Sequence, residues 1–495
     1  MNNKTNTGLI EKVRLAIRKF LIATARKLAA EKPKGPAIRN ARNLLVKEIR
    51  IPRALSASIT VIIISLMFSM QFGFGYRTVI AVFLFVAGAA AFFVMRTKDK
   101  EKDILADSDA VVLICLLFVI SLFLLQISNE FINAMVFPAS AFAVMSAMLL
   151  SERIGIVYTI ILGLFAAFIG NMRFDISLIM FCGSFAGISG IGKVRKRADF
   201  AAVFIRVAAV NILVISMFFL LHGYEIHAYQ QNIFYGILNA AFALILTLVM
   251  MPFFETFFSR TTSIKLIELA DFNNPLLKKL MLEAPGTYHH SLMTASLAEQ
   301  AAESIGANSL LARVSSYFHD IGKIKGPEYF IENQSSGGAN PHEALTPAMS
   351  SLILVSHVKD GVALAKKYNM DKAILDNIEQ HHGTTTMHFF YHKALESKKD
   401  IDMENFRYPG PKPQTKEAAI LMIADSSEAA CRAIDDPTAV RIRETVERII
   451  NNKFTDGQFS ECPITLRDLQ IIGDSVISSL IGIYHARIEY KEKDN

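Results

Sequence analysis

Tyr317-Phe318-His319-Asp320-Ile321-Gly322-Lys323 closes an apolar stretch whose Leu310, Leu311, Val314 and Phe318 recur at helical spacing. A helix of this pattern is expected to stop at Gly322 and leave a His and an Asp side by side in its last turn. Imidazole beside carboxylate is a donor set for a transition metal, and the carboxylate reaches one ion or bridges two. More candidates lie on separate apolar-periodic segments: His290 in Tyr-His-His-Ser, His357 in Ser-His-Val-Lys-Asp-Gly, the His381-His382 pair before Gly383, and Asp425 in Ile-Ala-Asp-Ser-Ser-Glu. A lone histidine on a helix is most often an ordinary core or surface residue. Paired ligand types beside helix-ending glycines are what a site assembled from helix termini shows. Helices are expected over 287–305, 309–320, 344–359, 371–382, 415–434, 437–452 and 466–489, with almost no alternating strand pattern, so this part reads as all-α.

Outward from that region the chain turns apolar. Of 495 residues 52% are hydrophobic and only 20% charged, with a mean hydropathy of +0.34, too apolar for an ordinary soluble protein. Apolar runs at 54–73, 78–95, 109–127, 130–150, 154–170, 175–192, 199–221 and 231–253 each approach the roughly 20 residues that cross a bilayer core. They predict a polytopic bundle of about eight transmembrane helices, the pair 154–170 and 175–192 being short enough to be re-entrant. Arg96, Lys98, Lys100, Lys102, Arg153, Lys193, Arg195, Lys196 and Arg197 fall in alternate loops, while the opposite loops hold Arg77 and Arg173. The positive-inside rule then places both termini in the cytoplasm. Within the seventh span, Arg206 and Asn211 are candidates for an intramembrane polar site, although the plainer reading, and the favoured one, has Arg206 snorkel to the nearby cytoplasmic face.

Residues 1–53 interleave Lys12, Arg14, Arg18, Lys19, Arg26 and Lys27 with Ile10, Val13, Ile17, Phe20, Leu21 and Leu28. This is a basic amphipathic segment suited to an anionic inner leaflet, and it lacks the continuous apolar run of a signal peptide. The net charge of +7 is placed for lipid headgroups, and no basic-aromatic module for a nucleic acid polymer is present. Cys115, Cys182, Cys431 and Cys462 have no metal-site spacing and form no disulfide framework. The stretch 254–284 is amphipathic and regular, and reads as a coupling region between the membrane domain of 54–253 and a cytosolic domain of 285–495.

The order His, His-Asp, distant Asp resembles the HD phosphohydrolase superfamily. Glu-Ala-Pro-Gly-Thr-Tyr-His-His-Ser (283–291), Tyr-Phe-His-Asp-Ile-Gly-Lys (317–323), Phe-Ile-Glu-Asn-Gln (330–334), Asn-Pro-His-Glu (340–343), Asp-Gly-Gln (456–458) and Ile-Thr-Leu-Arg-Asp-Leu (464–469) resemble the seven-transmembrane HD-domain family of bacterial cyclic di-AMP phosphodiesterases. The resemblance selects His290 over His289, because the superfamily's His precedes a small polar residue and a Leu. It implies a metal set of His290, His319, Asp320, His357, His381, His382 and Asp425, holding two divalent transition-metal ions, manganese or iron. Asp320 as the bridge and Lys323 facing developing phosphoryl charge are the implied catalytic residues. Lys323, Asn333, Gln334 and His342 are the candidate substrate contacts. His388 and His392 match no ligand position.

The implied reaction opens cyclic di-AMP to pApA, with a second copy of the chain as a further candidate partner. A cyclic di-GMP enzyme, another HD nucleotide hydrolase, and a membrane receptor that only binds nucleotide are the competing readings. Gly-Thr-Thr-Thr-Met-His after His381-His382 lacks the Gly-Tyr-Pro of related cyclic di-GMP enzymes, and a mere receptor does not need every ligand position filled. The family's large extracytoplasmic domain has no room between Gly73 and Arg77, so any signal is expected to enter through the membrane helices, the basic N-terminus or the cytosolic domain.

Overall fold

The computed structural model describes residues 53–72, 75–99, 101–169, 173–194, 196–223, 225–334, 340–397 and 401–485. The basic segment before Arg53 lies outside them. No strand occurs among the described residues, and the only sheet-like pairing there is an isolated bridge from Thr386 to Arg407. The architecture is all-α, an apolar helical bundle followed by a second, less apolar group of helices.

The apolar part comprises α1 (Arg53–Phe72), α2 (Tyr76–Thr97), the short α3 (Lys102–Ala106), α4 (Ser108–Phe131), α5 (Ala139–Leu149), α6 (Glu152–Ile169), α7 (Phe174–Ile188), α8 (Asp199–His222) and α9 (Ile226–Phe257). Contacts divide the chain into two compact units, one holding α1, α3, the first half of α2 and the start of α4, the other holding the rest. In the first, Arg53 donates to the Leu105 carbonyl at 3.2 Å. In the second, α8 shows the two-sidedness of a lipid-facing helix. Val203, Val207, Asn211 and Val214 are buried, while Ile205, Leu213 and Leu220 are more than two-thirds exposed.

The fourth expected span differs from expectation. Instead of a continuous helix over 130–150, a 3-10 turn at Ala134–Val136 and Pro138 precede the 11-residue α5. At 1.5 Å per residue α5 covers about 16 Å, roughly half a bilayer core. Proline cannot donate to a helix interior, which explains the break. Asn239 of α9 binds the backbone at this break, its amide donating to Met135 O at 3.0 Å and to Phe137 O. Non-helical backbone at membrane depth is tolerated where buried protein groups satisfy it. Asn211 joins this cluster, donating to Gly236 O at 3.1 Å and Asn239 Oδ1 at 3.2 Å. Arg206 does not: its guanidinium lies against Gly190 in the turn after α7, the snorkelling arrangement. The two therefore form no common site.

The expected coupling stretch is two helices, α10 (Ser263–Leu269) and α11 (Pro275–Glu283), each started by a side-chain cap, Thr262 and Asn274. α10 is gripped from both sides. Arg197, in the turn before α8, makes a two-pronged pair with Glu268 at 2.9 and 3.2 Å. Lys265 pairs with Asp371 at the N-terminus of a later helix.

The remaining helices are α12 (Pro285–Ser304), α13 (Ser309–Phe318), α14 (Pro347–Lys367), α15 (Lys372–Gln380), α16 (His388–Ser397), α17 (Lys416–Arg432), α18 (Ala439–Thr455) and α19 (Leu466–His485). α16, absent from the sequence reading, sits on a small aromatic cluster of Met387, Phe390 and Phe406. Two cores hold the domain. Leu297, Ala301, Ile420, Ile423, Ile442, Val446, Ile472 and Val476 join α12 and α17–α19. Leu266, Leu277, Leu280, Val314, Phe318, Ile321, Ile374 and Ile378 join α10, α11, α13 and α15. Although α14 is long and apolar enough to cross a membrane, it packs here on the 3-10 turn Ile321–Lys325 and carries His357.

Candidate metal centre

The candidate ligands sit on elements anchored in one core or the other. His290 is on α12 and Asp425 on α17; His319 and Asp320 follow α13, His357 is on α14, and His381-His382 follow α15. The structure brings all of these into two groups whose ligand atoms lie within 4.8 Å of one another: His290, His319, Asp320 and Asp425, and Asp320, His357, His381 and His382. Asp320 belongs to both. Its Oδ2 lies 3.6 Å from His290 Nε2 and 3.2 Å from His319 Nε2, and its Oδ1 lies 3.3 Å from His357 Nε2 and 3.7 Å from His381 Nε2. Asp425 approaches His290 Nε2 at 3.0 Å with Oδ1 and His382 Nδ1 at 3.7 Å with Oδ2. His289 is exposed and points away.

Backbone geometry fixes the imidazole tautomers. Nδ1 of His319, His357 and His381 each donates to the carbonyl three residues earlier, on Ser316 (2.7 Å), Leu354 and Ile378 (2.7 Å). Each Nε2 is thereby directed at the cluster, where it can ligate once it carries no proton. His290 is oriented instead by Glu428, which accepts from its Nδ1. His319 Nε2 and Asp320 Oδ1 are buried with no hydrogen-bond partner. Buried polar atoms without partners are costly unless something else is bound there, and an imidazole-carboxylate set of this kind fits divalent transition metals.

Electrostatics split the group. Burial works against the charge of His319, but Asp320 and Asp425 outweigh it and push its pKa up to about 10. Burial, then His319, pushes His381 down to about 3, and burial with His381 holds His382 low. Burial opposes ionisation of Asp320, yet His319 and Lys323 keep its carboxyl well below the usual range. Lys323 lies 2.6 Å from Asp320 Oδ2 and 2.8 Å from Glu332 Oε1, and these partners overcome burial and hold it as an ammonium.

Glu332, Glu428 and Tyr408 went unread in the sequence. Glu428 lies three residues after Asp425, hence on the same helix face, which is the signal that would have found it. Tyr408 stacks 4.2 Å from His382, and burial keeps its phenol protonated. Glu332 sits inside the quoted Phe-Ile-Glu-Asn-Gln, of which the sequence singles out Asn333 and Gln334 instead. Glu332 Oε1 accepts from Lys323 Nζ and, at 3.0 Å, from Thr287 Oγ1 of α12, so it joins the lysine to that helix. There Asn333 accepts from Thr287 N at 3.1 Å and donates to Thr287 Oγ1 at 2.8 Å. Gln334 donates to Glu328 O at 3.0 Å, and His342 Nε2 to Tyr329 O at 2.8 Å. His388 and His392 are exposed and stack on each other, apart from the cluster.

Comparison with known proteins adds to this geometry. Residues 76–262 match the family model of the 7TM receptor with intracellular HD hydrolase, and 287–430 match the HD domain. The first match contains the seven apolar helices α2 and α4–α9. Among relatives, the cyclic-di-AMP phosphodiesterase PgpH of Bacillus subtilis is 39% identical over 425 residues, covering 83% of this chain and 59% of that protein. The protein of the same name from Listeria monocytogenes is 38% identical, over 83% of this chain and 58% of the relative. The chain thus spans somewhat over half the length of these relatives. A crystal structure of the L. monocytogenes PgpH HD domain in complex with cyclic-di-AMP is 53% identical, covering 44% of this chain and 100% of that one, with a TM-score of 0.42. This is a membrane protein, and it belongs to the family of seven-transmembrane proteins that carry an intracellular HD hydrolase domain.

Proposed function

We propose that the protein is a membrane-anchored, metal-dependent phosphodiesterase that opens cyclic di-AMP to pApA. His290, His319, Asp320 and Asp425 would hold one divalent ion, manganese or iron, and Asp320, His357, His381 and His382 a second. The observation that carries this reading is Asp320, whose two carboxylate oxygens face different imidazole sets. Bound there, such ions supply Lewis acidity toward phosphoryl oxygens and a water made nucleophilic at neutral pH.

The chain's own groups supply the rest. Lys323, kept cationic by Asp320 and Glu332, faces the charge that builds on the phosphoryl oxygens and the leaving sugar oxygen. It cannot be a general base, because its proton is held. Glu428 holds His290 in its ligating orientation through Nδ1. Tyr408, a neutral phenol stacked on His382, walls the site without adding charge. Adenine as the base is supported by the relatives, which are named for cyclic di-AMP and align with 83% of this chain. In this reading 54–253 anchors the enzyme in the bacterial cell membrane, 254–284 couples, and 285–495 hydrolyses in the cytoplasm.

The test is the purified full chain loaded with manganese or iron and offered cyclic di-AMP and cyclic di-GMP, with products resolved by chromatography. Linear pApA is expected as the main product. Preferential opening of cyclic di-GMP would replace the substrate, and binding without any product would replace the enzyme by a receptor.

A further inference from the structure

A cyclic dinucleotide carries two phosphodiesters on opposite sides of its ring, and only one can lie at the metal centre in a turnover. The other is an anion brought next to a site rich in carboxylates, so it calls for a cation. Most cations near the cluster are already committed. Lys323 is paired with Asp320 and Glu332. Arg407 is paired with Asp456 at 2.8 Å and Glu404 at 3.0 Å. Arg432 is paired with Glu428 at 3.3 Å, and Lys416 with Asp468 at 2.9 Å.

Lys453 differs. It stands in the last turn of α18, half-buried; burial pulls its pKa down to about 8 against the charges of Asp425 and Asp456, and it closes no ion pair with either, so an incoming phosphate would be its first direct counter-charge. The turn that follows ties the lysine's backbone to the corner after the His381-His382 pair. Gln458 N donates to Lys453 O at 3.0 Å. The fully buried Gln458 side chain accepts from Thr384 N and donates to Thr384 Oγ1, both at 2.9 Å, and donates to Asp456 Oδ2 at 2.8 Å. Arg407 adds a bond to Thr384 O at 2.7 Å. Gly383 makes the approach feasible: its φ is +55°, and a Cβ there would lie 2.3 Å from Gln458 Oε1. Residues 453–458 are thereby fastened to the corner that follows His381-His382.

We propose that Lys453, on the segment that the Asp456-Gly457-Gln458 turn fastens to the corner after His382, binds the second phosphate of the cyclic dinucleotide, the one not being hydrolysed. The assignment rests on the phosphodiesterase reading above and adds the residue that distinguishes a dinucleotide ring from a simple diester. A charged hydrogen bond of this kind is worth about 1.5–3 kcal/mol, or about 10–100-fold in affinity.

The experiment compares kcat and KM of the full-length protein, wild type, Lys453→Gln and Lys453→Arg, on cyclic di-AMP and on bis(p-nitrophenyl) phosphate, a diester with a single phosphate. For Lys453→Gln the preference for cyclic di-AMP over the simple diester should fall about 10-fold or more, through KM, and Lys453→Arg should restore most of it. A preference unchanged in Lys453→Gln, or a loss carried by kcat on both substrates alike, overturns the proposal. Wild type that cleaves the simple diester but not cyclic di-AMP overturns the substrate reading itself, and this assignment with it.

Discussion

Asp320 sits where no other side chain of the cluster can replace it, because its two oxygens face opposite imidazole sets at 3.2–3.7 Å. A bridging carboxylate offsets the repulsion between two cations and sets their spacing, and a neutral amide of the same shape does neither. Asp320→Asn should therefore cut turnover of cyclic di-AMP by about 10²-fold or more. It should do so more completely than loss of any single terminal histidine, with helical content by circular dichroism nearly unchanged. Two metals per chain with a near-normal rate would remove Asp320 from the bridge. A second consequence concerns protons. In the metal-free protein the pKa of His319 is pushed up to about 10, so at pH 7 its ring is protonated. A metal needs the Nε2 lone pair, so binding must release that proton, and affinity falls about tenfold for each unit the pH drops below that value. Titration calorimetry at pH 7 in buffers of different ionisation heat should report release of at least one proton, and a heat independent of buffer would contradict this. At this scale the sequence was legible where a side chain sat within a motif, as at His319 and Asp425. It was silent where a role came from an orienting contact across the fold, as between Glu428 and His290.

The helices were legible from their apolar spacing, since burial of one face fixes that period, but reasons assigned to single residues fared unevenly. Gly383 behaves as read, with a left-handed φ of +55° ending the His381-His382 turn. Gly322 was read as a helix stop, yet α13 ends earlier, at Phe318, and Gly322 has no left-handed backbone. Its role is close approach: a Cβ would lie 1.8 Å from His357 O and 2.5 Å from Gly361 N. Sequence cannot show this, because the partner is backbone of a helix that starts 25 residues later. Gly322→Ala must push α14 off the 321–325 turn and separate His357 from Asp320. Overpacking against backbone should destabilise the domain by on the order of 3 kcal/mol. Thermal unfolding followed by circular dichroism, beside metal content by elemental analysis, should show both falling; an unchanged melting curve with full metal would refute the packing role. The break before α5 was hidden for a related reason. Residues 130–150 are mostly apolar, Glu130, Asn133, Ser140 and Ser146 apart, so average hydropathy registers a span without weighing that Pro138 splits it.

Across the whole molecule, the short α5 decides which side of the membrane the hydrolase occupies. The fold answers through registers. Asn129 near the end of α4 donates to Ile169 O at the end of α6, and Tyr158 of α6 donates to Leu117 O of α4, both at 3.0 Å. Two contacts at matching depths make α4 and α6 parallel, so the chain between them must travel back the length of α6. Its 18 residues rise about 27 Å. α5 supplies about 16 Å of that return, and residues 132–138, a 3-10 turn between extended Asn133 and Phe137, supply the rest at about 2–3.3 Å per residue. The segment is therefore long enough to cross despite its short helix. If it does, four crossings, α4 to α7, separate the turn holding Lys98 and Lys102 from the turn holding Lys196 and Arg197, and both turns are expected on the same side. Their shared positive charge predicts that this side is the cytoplasm. Crossings by α8 and α9 would return the chain to it and bring α10 and the candidate metal centre there. Reporter fusions check each step. A reporter active only in the cytoplasm should give signal when fused after Lys102, after Arg197 and after Asn495, and none after Gly223, where one active only outside should give signal instead. Opposite results at Lys102 and Arg197 would mean that the α5 segment does not cross, and would put the hydrolase on the other side of the membrane from the Lys98–Lys102 turn.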